Sequence, residues 1–377
     1  MTVPLIRVMF VVPDLRIGGA ERHVTTLAPK MDSTRFMPSV ICIGEKGRLF
    51  DALPQAGIEA AALNLGGKKN AFRALRQLVS KMRSARPDVV VTRGYNAEVL
   101  GRIAAVIAGV KHSIVWVHSA VDIEPRSWIR KSADQLLLPW TASYFGVAEA
   151  QRGYIVDGLD CPDDKVRIIH NGVELDLFDT TTDRSILAEF GIDCLGDPVV
   201  GIVASLRPEK GHVTLLHAAR IVLNDVPRLR LLIVGDGAIR AELEALCANL
   251  GIANNVCFCG ARSDIGQVLR AMDVFTLSSN TECFPISVLE AMACARPVVC
   301  TDVGGISEVV EDGVSGYLVP PQDPAQLAAR LKELLSNPAL ALRMGQAARL
   351  RIEAEFSLER SVVATERAIE DIVYGRN

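Results

Sequence analysis

Long hydrophobic runs are missing from this chain of 377 residues. No apolar stretch approaches the roughly 20 residues of a membrane span. Leu5–Val12 is short and interrupted by Arg7, so it does not resemble a secretory leader. A large excess of one charge is also missing. The net charge is −3, which gives no reason to expect nucleic acid as a partner. Paired-cysteine motifs are absent too. The nine cysteines include no Cys-x-x-Cys and no zinc spacing. Several, such as Cys42, Cys257, Cys294 and Cys300, lie in apolar surroundings, as free thiols in a reducing cytosol do. His23, His112, His170, His212 and His217 have no metal-ligand spacing. No Asp-x-Asp occurs, so a metal-bridged diphosphate is not expected. No Gly-x-x-x-x-Gly-Lys-Ser/Thr occurs, which excludes a P-loop. These absences predict a cytoplasmic protein that needs no metal and no cofactor.

What is present is ordinary for a soluble globular protein: 49% hydrophobic and 23% charged residues. The length exceeds what one core usually organises, so two domains are expected. Residues 1–180 carry 23 Lys+Arg against 19 Asp+Glu, and residues 181–377 carry 18 against 25. Strand candidates alternate with helical stretches. Leu5–Val12, Pro38–Ile43, Ile58–Leu63, Val89–Thr92, Ser113–Val117 and Ser143–Val147 are short and mostly β-branched. After the polar stretch 170–197 the series restarts with Pro198–Ala204, Leu229–Val234, Val256–Phe258, Val274–Leu277 and Val298–Thr301. Alternation of this kind predicts an α/β protein with parallel sheets covered by helices on both faces. The expected organisation is an N-terminal doubly wound, Rossmann-like domain over 1–172, a linker over 173–197 and a second such domain over 198–355. In such sheets ligands bind where strand ends meet helix N-termini, so the expected site is a central cleft that the two domains face.

The loops after the strands carry the chemistry. Ser278–Pro285 follows Val274–Leu277, and Pro285 suits a first helical position because its missing N–H is not needed there. Backbone N–H groups around Cys283, Phe284, Pro285, Ile286 and Ser287 would then face outward at a positive helix end, apart from that of the proline. Glu282 sits at the helix mouth, where a carboxylate can accept sugar hydroxyls. Glu290 lies about a turn and a half inside, placed to accept both hydroxyls of a ribose. Ser205–Gly211 follows the strand Pro198–Ala204. There Lys210 can meet a diphosphate as a point charge, and Arg207 can add a forked contact. Gly235 ends a strand within Gly-x-Gly, but Arg240 takes the third glycine position, so this is no dinucleotide fingerprint. In the first half, Gly18 and Gly19 would let a phosphate or acceptor approach a helix start. His118 follows Ser113–Val117 and is placed at a strand end.

Together these loops resemble glycosyltransferase family 4, retaining enzymes of the GT-B fold that use a nucleotide-sugar. The resemblance covers nearly the whole chain and is densest over 256–320. It rests on Gly18-Gly19-Ala20-Glu21, His170-Asn171-Gly172-Val173, Lys210-Gly211, Phe258-Cys259-Gly260, Ser279 through Pro285, Glu290-Ala291-Met292-Ala293 and Gly304-Gly305-Ile306-Ser307-Glu308. It implies a C-terminal helix, 356–377, crossing back to an N-terminal acceptor-binding domain, with the C-terminal domain binding the nucleotide-sugar. It implies that Glu282 contacts the donor sugar and supports charge at the reacting carbon. Glu290 would hold the ribose, Lys210 the diphosphate, and His118 would line the sugar site. Transfer would need no metal, with attack on the face from which the phosphate departs. Ser205 stands where the family often has Arg, which leaves Arg207 as the candidate to reach the phosphates. Pro285 stands where Gly is frequent, which removes one N–H donor.

The expected reaction moves a sugar from a nucleoside diphosphate to a glycan or lipid-linked acceptor in envelope polysaccharide or glycolipid assembly. A UDP-sugar is favoured as donor and GDP-mannose comes second. A same-fold nucleotide-sugar 2-epimerase and a non-catalytic nucleotide-sugar binder are the alternatives. Lys68, Lys69, Arg73, Arg76, Lys81, Arg83 and Arg86 cluster with Phe72, Leu75, Leu78, Val79 and Met82. That pattern predicts a basic amphipathic helix touching the inner face of a membrane.

Overall fold

A computed structural model describes residues 5–16, 19–118, 128–193 and 196–376. The chain forms two compact units, one of residues 1–171 with 358–377 and one of residues 172–357.

Among the described residues the first unit holds seven strands: β1 (Ile6–Val12), β2 (Phe36–Cys42), β3 (Glu59–Ala62), β4 (Val89–Thr92), β5 (His112–Val117), β6 (Thr141–Gly146) and β7 (Val166–Ile168). Their order in the sheet is β3-β2-β1-β4-β5-β6-β7, and every pairing is parallel. β4 and most of β1 and β5 are buried along their length, as strands with helices on both faces must be. The C-terminal helix Leu358–Tyr374 belongs to this unit. Glu366 accepts the Asp32 N–H at 2.6 Å, Arg35 pairs with Glu370, and Arg167 pairs with Asp371 at 3.0 Å. Thus a charged face of the last helix is tied to the turn before β2 and to β7.

The second unit holds β8 (Val199–Val203), β9 (Arg230–Val234), β10 (Val256–Gly260), β11 (Val274–Leu277), β12 (Val298–Thr301) and β13 (Gly316–Val319). Their order is β10-β9-β8-β11-β12-β13, again all parallel. In each sheet the winding direction reverses once: between β1 and β4, and between β8 and β11. Loops leaving the strands on either side of a reversal diverge to opposite faces and leave a crevice between them.

Within the stretch expected as a linker, residues 173–193, 196 and 197 are bound into the second unit. Val173 pairs with Ser357, Arg184 with Asp273 at 3.1 Å, and Arg349 donates to the Phe178 carbonyl at 2.8 Å. Arg296 reaches the Thr180 carbonyl and the Thr182 hydroxyl at 3.3 and 3.2 Å. A stretch rich in Asp, Thr and Gly has a loop's composition, yet the buried Arg296 and the half-buried Arg349 give its backbone and the Thr182 hydroxyl partners. Strands β7 and β13 add to the expected set. One is three residues long and the other, Gly-Tyr-Leu-Val, has no alternation to mark it.

The basic helix is Ala71–Ala85. Its apolar stripe is spent internally: Ala74, Leu78 and Met82 are buried in the first unit's core, with Leu75 and Val79 packed against it. Lys69, Arg73, Arg76, Lys81, Arg83 and Arg86 face solvent, and so does Phe72, 79% exposed.

Candidate functional site

The crevice between β8 and β11 brings two predicted residues into contact. Lys210 Nζ lies 2.6 Å from Glu282 Oε1. Ser279 Oγ donates to the same oxygen at 2.7 Å. The Glu282 side chain is only 8% exposed and that of Lys210 23%, so the charges meet where water screens them little. Ser279 stands three residues before Glu282 in the same motif, but nothing in the sequence marks it as a partner of that carboxylate.

Backbone contacts fix the two loops against each other. The Asn280 N–H donates to the Glu209 carbonyl at 2.8 Å, and Ser278 Oγ donates to the Gly211 carbonyl at 3.0 Å. Thr301 Oγ1, at the end of β12, donates to the Ser279 carbonyl at 2.6 Å. Two glycines permit this packing. Gly211 has φ +63°, and a Cβ on it would stand 1.9 Å from the Ser278 carbonyl oxygen. Gly304 has φ +57°, and a Cβ there would stand 1.9 Å from the Glu282 carbonyl oxygen. Any other residue at either position would clash with the neighbouring backbone and adopt a costly left-handed conformation.

The helix after Glu282 starts one residue later than expected. It spans Ile286–Ala293, with Pro285 extended just before it. The residue before a proline avoids the helical region, so the helix cannot extend back through Phe284. The Phe284 side chain is buried and its ring lies 5.6 Å from that of Phe356. What Phe284 can offer a ligand is therefore its backbone. Cys283 is half-buried, and its carbonyl accepts the Gly305 N–H at 2.8 Å. Glu290, the fifth residue of the helix, is buried. Gly235 follows β9 and donates its N–H to the Gly260 carbonyl at 2.9 Å. Arg207 is placed differently. Its side chain is 67% exposed, and its guanidinium lies 3.8 Å from Glu209. Only Lys210 of the two basic residues is held against Glu282.

In the first unit, His118 sits one residue beyond β5. Its ring is 5.0 Å from that of His23 and 5.7 Å from that of Trp116. Burial, the Arg93 guanidinium and His23 together hold His118 well below the ordinary histidine value. Burial first, then Arg93, pushes His23 down to about 3. Both imidazoles are therefore neutral near neutrality. Among the described residues, the buried His118 Nε2, both His23 nitrogens and the Trp116 indole nitrogen have no hydrogen-bond partner. The sequence does not mark His23, because a lone histidine carries little signal. Its position, on the helix Gly19–Lys30 that follows β1, was the available clue. Gly19 opens that helix, and Gly18 lies outside the described residues.

Among the described residues no group of three or more His, Cys, Asp or Glu is placed to hold a metal ion. No helix among them is long and apolar enough to cross a membrane.

Comparison with known proteins adds to this geometry. Residues 17–177 match the model of Glycosyltransferase Family 4, and residues 193–351 match that of Glycosyl transferases group 1. The chain is 35% identical over 159 residues to a putative glycosyltransferase, EpsD, of Bacillus subtilis, covering 42% of each chain. It is 29% identical over 374 residues to the alpha-maltose-1-phosphate synthase of Mycolicibacterium smegmatis, covering 90% of this chain and 92% of that one. For EpsD and several D-inositol 3-phosphate glycosyltransferases, the match spans about half the relative's length. The crystal structure of Anabaena HepE in complex with UDP-glucose superposes with a TM-score of 0.86 at 22% identity. It covers 97% of this chain and 100% of that one.

Proposed function

The chain belongs to glycosyltransferase family 4 and has the GT-B fold, and on that premise we propose that it transfers a hexose from a UDP-sugar to a glycan or lipid-linked acceptor, retaining the anomeric configuration. GDP-mannose is the second candidate donor. The proposed setting is envelope polysaccharide or glycolipid assembly, in the cytoplasm at the inner face of a membrane. The donor class is supported by the solved HepE complexes, which hold UDP and UDP-glucose.

The observation that carries the reading is the Lys210–Glu282 contact at the β8/β11 crevice. Without ligand each charge is the other's partner. A diphosphate competes for Lys210, which can supply its charge without a metal ion. Glu282 is then released to receive hydroxyls of the donor sugar and to stabilise positive charge growing at its anomeric carbon. N–H groups at the start of Ile286–Ala293 face the departing phosphate, and the buried Glu290 carboxylate accepts the ribose hydroxyls. The acceptor hydroxyl attacks the anomeric carbon on the face from which the phosphate leaves. Its proton passes to the leaving phosphate oxygen, so charge balances without a separate base.

Glu282→Gln tests this. The variant keeps its shape and its Ser279 contact but loses the carboxylate charge. Transfer from a UDP-sugar should fall roughly 100-fold or more, while UDP still raises the melting temperature. Unchanged transfer would overturn the role of Glu282. Absence of thermal stabilisation of the native chain by UDP, GDP and their sugars would overturn the donor reading itself.

A further inference from the structure

β10 is an edge strand of the second sheet, and it carries two thiols two residues apart. Cys257 and Cys259 are both half-buried, and their sulfurs lie 3.8 Å apart. The pairing of β10 with β9 slips between Phe258 and Gly260, leaving Cys259 as an extra residue. In a flat strand, residues two apart are separated by about 6.6 Å or slightly more, close to the upper limit of about 6.8 Å for a disulfide. A bulge bends the strand locally and increases its twist, and here it leaves the two sulfurs side by side. Arginines surround them. The Arg240 guanidinium lies 5.7 Å from the Phe258 ring between the two cysteines, and it and Arg230 act on Cys257 while Arg262 acts on Cys259.

We propose that Cys257 and Cys259 form a reversible dithiol–disulfide site whose oxidant is a hydroperoxide. Four of the other thiols have a different chemistry. Burial pushes Cys42, Cys161 and Cys294 up to about 12 and Cys247 up to about 11. Cys257 is held below the ordinary thiol value, first by the hydrogen bond from Cys259 and then by Arg230 and Arg240. It is therefore the thiolate, and the thiolate is the nucleophile.

The chemistry balances in two steps. Cys257 Sγ attacks the O–O bond, forming an S–O bond and releasing an alkoxide, or hydroxide, that takes up a proton. Cys259 Sγ then attacks the Cys257 sulfur and displaces hydroxide, which leaves as water with the Cys259 proton. Two thiols become one disulfide, and one hydroperoxide is reduced by two electrons to an alcohol and water. A ring closed across two residues of one strand is strained, which makes the bond readily reducible and suits reversal by a cellular thiol. Its effect reaches beyond the strand. The Gly260 carbonyl, next to the bulge, holds the Gly235 N–H at 2.9 Å, so closing the ring pulls on the loop after β9. The site stands apart from the transferase reading and does not depend on it.

The test uses the native full-length chain and hydrogen peroxide. After exposure, free thiols are blocked, the protein is digested, and the peptide following Arg240 is sequenced by fragmentation. This peptide also carries Cys247, so fragmentation is needed to place the bridge. The expected product has lost two hydrogen atoms between Cys257 and Cys259 and recovers them with dithiothreitol. In Cys259→Ser the reaction should stop at a Cys257 sulfenic acid, trapped by dimedone. Cys257→Ser should give neither product. A wild-type chain in which both thiols stay free, or in which Cys257 passes to sulfinic acid while Cys259 remains reduced, overturns the proposal.

Discussion

At the scale of single residues, the candidate site depends on backbone that approaches backbone. Lys210 and Glu282 meet because two loops stack, and the loops stack because Gly211 and Gly304 have no Cβ. Gly304 makes the sharper test, since it has no side chain to offer a ligand and packs on the backbone carbonyls of Glu282 and Cys283. In Gly304→Ala the methyl would stand 1.9 Å from that oxygen, so the loop bearing Glu282 must move. The left-handed conformation alone costs about 1–3 kcal/mol. The second unit's melting temperature should drop by roughly 4 °C or more, and transfer should fall even though every proposed polar group is retained. A variant with wild-type melting and wild-type transfer would mean that the loop is free to shift without consequence. Lys210→Met differs in kind. It leaves a nearly buried carboxylate without its cation, which costs roughly 2 kcal/mol.

At the scale of elements, what was legible in the sequence and what was not have separable causes. Most strands were legible because β-branched runs such as Val89–Thr92 and Val274–Leu277 have no other good use. β7 and β13 were not, because three or four residues give no period. The loops were legible as loops, since they follow strands and contain Gly, Pro and Ser. Which side chain each loop turns inward was not legible. Arg207 and Lys210 are three residues apart in one loop, yet one is two-thirds exposed and the other meets Glu282. That difference is set by the turn Pro208–Lys210 ending at the left-handed Gly211, a conformation that charge counting does not reveal. The helix Ala71–Ala85 teaches a related lesson. Its hydrophobic face looked ready for a membrane, but Leu78 and Met82 are consumed by the protein's own core. The membrane contact we propose therefore reduces to Phe72 and a basic surface. Each Lys or Arg near an anionic surface contributes about 1 kcal/mol, with steep salt dependence. Co-sedimentation with vesicles containing anionic lipid should weaken on adding salt and be largely lost in a variant with Arg73→Glu, Arg76→Glu and Lys81→Glu. Binding that ignores lipid charge, salt and these substitutions would remove the helix from the proposal.

At the scale of the whole molecule, the buried histidines set a stability that depends on pH. Below about 6.5 an unfolded chain gains a proton at each histidine. The folded chain refuses that proton at His23, held down to about 3, at His118, held well below its ordinary value, and at His212, pushed down to about 4 by burial and then Lys210. The unfolded state then binds more protons, so stability rises with pH across this window. The contribution is complete above about pH 6.5 and drains away as pH falls through it. For His23, which is buried, the loss at about pH 5 is roughly 2 kcal/mol. Glu366, raised by burial, works in the opposite sense, while Asp14, Asp32, Asp197 and Asp264, held low, add their losses only at lower pH. The depressed histidines are unequally shared. His23, His118 and His112 lie in the first unit and His212 in the second. Calorimetry between about pH 7 and pH 5 should therefore show the first unit's transition falling faster than the second's, which Gly304→Ala identifies by lowering it. His23→Leu should flatten the first unit's slope by removing one refused proton. Transitions that fall in parallel, or a slope that this substitution leaves unchanged, would show that the imidazoles of the first unit take up protons without unfolding it.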